Sequence, residues 1–164
     1  MVRNVHERLI QTSLAASSAG ALIDNLSGRD DTVWPRDRWP AMRFDRALGV
    51  GARGGHGPIR YFVEEYAPGR NVRFRFTAPR GFDGTHDFDV EQSSPGVVRV
   101  RHTLEMRLKG AARLSWPLLF RPLHDALVED ALDRAEANLN GASAAPRRLS
   151  AWVRFLRRAA RLLK

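Results

Sequence analysis

The sequence predicts one α+β domain, an antiparallel sheet followed by a long C-terminal helix, with a short basic helix appended. Three observations carry this. Two Pro-Gly turns join segments in which apolar and polar residues alternate strictly, the signature of strands wet on one face. A long stretch at helical spacing follows the last strand. The final segment, residues 147–164, holds seven basic side chains and no acidic one, which leaves 20 basic against 18 acidic in the remainder of a chain whose totals are 27 and 18. The net charge of +9 therefore describes an appendage more than the domain. A length of 164 residues suits a single domain that buries roughly two-thirds of its unfolded surface.

Residues 4–12 read as a first strand and the small-residue run 13–26 as a helix. The next stretch contains Trp34-Pro35 and Trp39-Pro40; proline disfavours helix in the residue before it, so a loop is expected. Five strands follow, over 43–51, 57–66, 71–78, 85–92 and 98–108. Ala67-Pro68-Gly69-Arg70 fits a type II turn, which sets Val63 opposite Phe74 and Tyr61 opposite Phe76. Ile59, Tyr61, Val63, Val72, Phe74 and Phe76 then share the inner face, with Glu64 paired to Arg73 outside. The second turn, Ser94-Pro95-Gly96, is read as a three-residue loop with Gly96 left-handed, because a two-residue loop would set Val90 opposite Arg101. Its register brings His86, Phe88 and Val90 inside with Val100, His102, Leu104, Met106 and Leu108.

Pro117 and Pro122 interrupt the segment after Lys109-Gly110, so the long helix is expected to begin near Pro122 and to stop at Asn140-Gly141. Leu123, Leu127, Ala131 and Leu132 face inward, and Glu129, Asp130, Asp133 and Glu136 mostly outward. The expected organisation is a domain over 1–140, a linker over 141–146 and a tail helix over 147–164. In the tail Trp152, Phe155, Leu156, Ala159, Leu162 and Leu163 recur at helical spacing, with Arg154, Arg157, Arg158, Arg161 and Lys164 between them. Such a helix suits an anionic membrane surface, the domain's own acidic helix, or a protein partner. Trp152, Arg154, Phe155, Arg157, Arg158 and Arg161 are the expected contacts.

Several classes of chemistry find no support. The chain has no cysteine, so disulfides and thiol nucleophiles are ruled out. It has no signal-peptide pattern and no run of about 20 apolar residues, so a cytoplasmic protein is expected, peripheral on a membrane if the tail docks there. Gly49, Gly51, Gly54, Gly55 and Gly57 lie between strands without the lysine, hydroxyl and following helix of a phosphate-binding loop, and read as a flexible hairpin at a cavity mouth. No serine sits in a nucleophile elbow, and no carboxylates pair on an inward face. The wet sheet face lacks the aromatic platform of a nucleic-acid binder.

The small-residue helix leading to Val33-Trp34-Pro35 and Arg38-Trp39-Pro40, the run Tyr61–Phe76 with its Y-x-V-x-x-Y-x-P-G-R-x-V-x-F-R-F pattern, and a last strand feeding a long helix resemble the START/Bet v 1-like superfamily. This is the group that includes bacterial polyketide cyclase/dehydrase and lipid-transport proteins. The resemblance covers about residues 3–140. It implies a helix-grip fold, a curved antiparallel sheet wrapped around the C-terminal helix with a ligand cavity between them. It carries over no catalytic motif.

Within such a cavity the expected ligand-binding residues are Tyr61, Val63, Phe74, Phe76, His86, Phe88, His102, Leu104, Met106, His124 and Leu127. A buried imidazole can orient a carbonyl or hydroxyl, or move a proton near neutral pH. The leading expectation is a binder or carrier of a lipid-like or polycyclic hydrophobic molecule. The alternatives are a cofactor-independent cyclase or dehydratase, with His86 or His102 as acid/base, and an interaction module acting through the tail. The histidines lack a tight ligand spacing, so no metal is expected, and nothing calls for a cofactor. His56 reads as a turn or cavity-mouth residue and His6 as superficial.

Overall fold

Pairing of alternating strands through short turns gives a meander, and the structure is built on one. The computed structural model describes residues 1–162, so Leu163 and Lys164 of the expected tail helix lie outside the described residues. Seven antiparallel strands form one sheet: β1 (Val2–Gln11), β2 (Arg43–Phe44), β3 (Arg53–His56), β4 (Ile59–Ala67), β5 (Asn71–Ala78), β6 (Phe82–Ser94) and β7 (Val97–Leu108). β2 to β7 lie side by side in chain order, and β1 pairs with the free edge of β7. The helices are α1 (Ala16–Asp24), α2 (Ala112–Ser115), α3 (Arg121–Leu139) and α4 (Ala151–Leu162), with a π-helical turn at Trp116–Phe120 between α2 and α3. The seven-stranded sheet and long C-terminal helix are consistent with a helix-grip arrangement.

The expected side-chain registers hold, by a different route from the one the turns suggest. Val63 faces Phe74 and Tyr61 faces Phe76, but Ala67 pairs with Asn71 and not Arg70, and an irregularity between Val63 and Glu65 absorbs the offset. Glu65 consequently takes Arg73, at 3.0 Å, while Glu64 pairs with Arg75. In the β6–β7 hairpin Ser94 pairs directly with Val97 and an irregularity between Gln92 and Ser94 restores Val90 opposite Val100. In both hairpins the hydrophobic face decides the register, since a one-residue slip would turn every inward side chain to water.

The expected strand over 43–51 is not formed beyond Phe44. Asp45 instead accepts the Arg53 amide at 2.9 Å, folding the chain into a loop, and Arg53–His56 forms a strand in place of the expected flexible hairpin. Glycine is needed there for close approach: a Cβ on Gly54 would lie 2.0 Å from the Arg43 carbonyl oxygen. The long helix α3 starts at Arg121, beside Pro122 as expected, but helical backbone precedes it. Helical backbone runs from Ala112 through both prolines because the π-helical turn takes up the misfit, the Arg121 amide reaching back to the Trp116 carbonyl. Pro122 has no N–H to give the Leu118 carbonyl, and Trp152 Nε1 of α4 donates to that oxygen instead, at 2.9 Å.

α1 sits on the tip of the β4–β5 hairpin. Asp24 accepts the Gly69 amide and the Tyr66 hydroxyl, both at 2.9 Å, and a Cβ on Gly20 would lie 2.2 Å from the Gly69 carbonyl oxygen. Backbone cannot retreat as a flexible side chain can. Gly20→Ala is therefore expected to destabilise the fold by about 2 kcal/mol, read as a lower midpoint in urea denaturation.

The loop 25–42 is rigidly held without regular structure. Buried Asp31 accepts the amides of Ser27, Val33 and Trp34, and Trp34 Nε1 donates to the Pro40 carbonyl. Trp39 Nε1 donates to Asp130 Oδ2 at 2.7 Å, and Arg38 donates to Asp130 Oδ1 at 3.0 Å. Asp130, expected to face solvent, is buried because this loop folds over α3. The tail helix uses its Val153 and Leu156 face to pack on the domain, and Arg147 binds Asp133 at 2.8 Å.

Candidate functional site

Between the sheet and α3 lies a cavity of about 50 Å³, lined by Trp34, His56, Ile59, Phe76, Phe82, His86, Phe88, His102, Leu104, Trp116, His124, Leu127, Val128 and Ala131. On this measure a water needs at least about 10–15 Å³, so the closed chamber has room for about three or four. Pockets for drug-sized ligands run to roughly 300–1,000 Å³. The closed chamber is thus too small for a lipid-like or polycyclic molecule. Phe76, His86, Phe88, His102, Leu104, His124 and Leu127 of the expected site line it. Tyr61, Val63, Phe74 and Met106 do not: they are fully buried in packed core, with Phe44 stacked on Phe74 at 5.7 Å and filling the space in front of it. The sequence reading missed Trp34, Phe82 and Trp116, whose elements meet only in the tertiary structure.

The cavity wall is apolar apart from imidazoles. His86 and His102 share a hydrogen bond, Nδ1 to Nε2, at 3.3 Å, as expected from their diagonal places on β6 and β7. Burial, reinforced by the neighbouring imidazoles, pushes both far below the ordinary histidine pKa, so both are neutral at pH 7. Two neutral imidazoles joined by one hydrogen bond retain one N–H and one lone pair at their outer ends, whichever donates. Those outer atoms, His86 Nε2 and His102 Nδ1, are buried and have no protein partner. The pair thus offers one donor and one acceptor.

His124 adds a third imidazole, its ring 5.0 Å from that of His102. Its Nδ1 lies 3.2 Å from Asp125 Oδ1, which holds the N–H on that nitrogen and leaves Nε2 as an acceptor, again buried and unpartnered. Burial lowers its pKa, against the pull of Asp125. Tyr61 stands edge-on to His86 at 4.8 Å, and burial raises the pKa of its hydroxyl, which also lacks a protein partner. His56 lines the cavity beside Trp34, and burial pushes its pKa down to about 3.

Behind His124 runs a polar ladder that the sequence reading did not anticipate. Asn4, His6 and Arg8 project from one face of β1 at a repeat of about 6.8 Å. Asp125, Glu129 and Asp133 project from α3 at every fourth residue, about 6 Å apart, so the two rows nearly match. His6 Nδ1 meets Glu129 at 2.6 Å and its Nε2 meets Asp125 at 3.2 Å; Arg8 binds Glu129 and Asp133. Burial works against charge on His6, but the two carboxylates outweigh it and raise its pKa. His6 is thus half-buried and paired, not superficial. The alternation Asn4-His6-Arg8 was the available signal.

His6, His124 and Asp125 are also the described residues nearest to a metal-ligand set. Asp125 Oδ1 is already shared by Asn4 at 3.1 Å and by both imidazoles, and an imidazolium at His6 between two carboxylates accounts for the cluster. The expected tail contacts divide. Trp152, Arg154, Phe155, Arg158 and Arg161 are exposed, whereas Arg157 stacks 4.5 Å over Trp39 and donates to the Arg38 carbonyl, on the docked side of α4.

No family model and no curated protein matches this sequence. Solved structures do resemble the fold. A protein from Nitrosospira multiformis superposes with a TM-score of 0.60 at 9% identity, covering 80% of this chain and 94% of that one. CalU16 from Micromonospora echinospora gives 0.58 at 9% identity, covering 96% and 83%. A START superfamily protein from Mycobacterium smegmatis gives 0.54 at 10% identity, covering 85% and 97%. At such identities the likeness shows the fold alone.

Proposed function

We propose that this chain binds a small, largely apolar molecule bearing one or two hydrogen-bonding groups, held between the sheet and α3. The observation that supports it is the set of buried, unpartnered nitrogens on His86, His102 and His124 around an otherwise apolar cavity. Each such atom costs about 1–3 kcal/mol when left without a hydrogen bond, so a guest or water that satisfies them is favoured. Apolar walls supply affinity, and the His86–His102 donor/acceptor pair orients a carbonyl or hydroxyl. A ligand larger than the closed chamber is admitted by outward movement of the α2 and π-helical turns, which carry Trp116 and Phe120. The side chains of their outer residues Leu114 and Leu118 are exposed, and from outside the turns are held by the hydrogen bond of Trp152 to the Leu118 carbonyl.

Native mass spectrometry of the freshly purified chain, with solvent extraction, is expected to reveal a bound apolar species. The stripped protein is expected to bind 2-naphthol, with affinity reduced about 2- to 10-fold in His102→Leu, the loss of one buried hydrogen bond. Neither a co-purified species nor naphthol binding would remove the reading.

One observation favours a second reading, acid/base catalysis: Asp125 fixes the tautomer of His124 so that Nε2 can accept a proton in the cavity. On this reading His124 is the base, in preference to His86 or His102, which have no carboxylate. Nitrogen-15 NMR at neutral pH is expected to show His124 protonated on Nδ1 alone. The Nε2–H tautomer in the unmodified chain would exclude the role.

A further inference from the structure

We infer that α4 and the helical turns over 112–120 form one docking face for an anionic lipid surface. Trp152, Phe155 and Leu162 of α4 are 47%, 57% and 87% exposed, and Leu114 and Leu118 of the turns are 70% and 60% exposed. These are one patch. Trp152 stacks on Phe155 at 5.3 Å and its Nε1 is bonded to the Leu118 carbonyl, which joins the two elements. α4 has already spent one face on the domain through Val153, Leu156 and Arg157. The face that remains is itself amphipathic, with Trp152, Phe155 and Leu162 beside a stripe of Arg154, Arg158 and Arg161. All three arginines are exposed, and among the described residues no carboxylate lies within ion-pair distance of them.

The charge pattern selects the occupant. Aromatic and leucine side chains that enter the acyl boundary, next to arginines at headgroup level, match an interfacial helix on anionic lipid. A polyanion would engage the arginines and leave Leu114, Leu118 and Phe155 in water. The same turns present Trp116 to the cavity and pack Phe120 on Phe82 at 5.1 Å, so the lipid would grip the outer side of the cavity wall. Docking rests on the patch; any coupling to ligand release rests in addition on the binding proposed above.

The full chain is tested against phosphatidylcholine vesicles with and without phosphatidylglycerol, at low and high salt. Binding is expected only with phosphatidylglycerol, and weaker at high salt. Trp34, Trp39 and Trp116 are buried, so a blue shift of tryptophan emission on binding reports Trp152. Replacing Arg154, Arg158 and Arg161 together by glutamine is expected to weaken partitioning roughly 100-fold, at about fivefold per arginine. Phe155→Glu with Leu162→Glu is expected to weaken it at least roughly tenfold, since both side chains leave the acyl boundary. These positions are exposed, and unchanged circular dichroism and 2-naphthol binding are expected in both variants. The inference is overturned by absence of vesicle binding, by equal binding of the variants, by binding without a Trp152 shift, or by lipid-independent self-association through the patch. Loss of vesicle binding with naphthol binding intact, or the reverse, separates this face from the cavity.

Discussion

Acidification from about pH 7.5 to about pH 5 is expected to lower the stability of the fold, seen as a falling urea midpoint. His56, His86, His102 and His124 have pKa values held below the ordinary one, first of all by burial. In the unfolded chain each takes up a proton near pH 6.5, and in the folded chain it does not. Their contribution is therefore complete above that value and is lost as the pH falls toward the folded pKa. For His56, with a folded value of about 3, the loss at pH 5 reaches up to about 2 kcal/mol. His86 and His102, without a carboxylate beside them, act in the same direction.

Two groups oppose this. Burial, and then Asp89, raise Asp87 to about 6, so its protonation favours the fold over the same interval. His6, raised by Asp125 and Glu129, contributes stability below pH 6.5 that disappears as the pH rises through its folded value. The four lowered histidines outweigh these two. His86→Phe with His102→Leu is expected to flatten the acid limb, and a stability that stays level or rises toward pH 5 would contradict the assignment of neutral buried imidazoles.

Asp130→Ala is expected to destabilise the fold by about 3 kcal/mol. Its carboxylate is 4% exposed and serves both Arg38 and the Trp39 indole, so truncation strands a guanidinium and a buried N–H together. The consequence extends to the tail. Arg38 also donates to the Arg147 carbonyl and Trp39 carries Arg157, so trypsin is expected to cut at Arg147 and Arg148 faster in the variant. Asp130→Asn keeps an acceptor for Trp39 and is expected to lose less. A midpoint within about half a kcal/mol of the unmodified chain would show that the loop 25–42 is held by its tryptophans alone.

Asp130 also shows where the sequence stops being legible. Helical spacing places it three residues after Leu127, on the flank of the inward stripe, and with Glu129 and Asp133 beside it that flank looks like a solvent face. The loop that covers that face has no periodicity, and its docking depends on the Trp39 indole and the Arg38 guanidinium finding Asp130, about ninety positions away. The cavity failed in part for a similar reason. Alternation on β4 to β7 correctly turned Tyr61, Val63 and Phe74 inward, but whether an inward residue meets a void or another ring depends on Phe44, in a strand of two residues. The ladder between β1 and α3 was readable in principle, since Asn4, His6 and Arg8 alternate opposite Asp125, Glu129 and Asp133.

By itself the sequence determined the meander, the inner face of each hairpin and the diagonal His86–His102 pair, because alternation and turn chemistry act between neighbours in the chain. It also located the basic amphipathic helix. Only the tertiary structure decided which of that helix's faces docks, how far the cavity closes and that His6 of β1 meets the carboxylates of α3. Those depend on packing between elements distant in sequence, where a few ångströms separate a filled core from a chamber and an exposed carboxylate from a buried one.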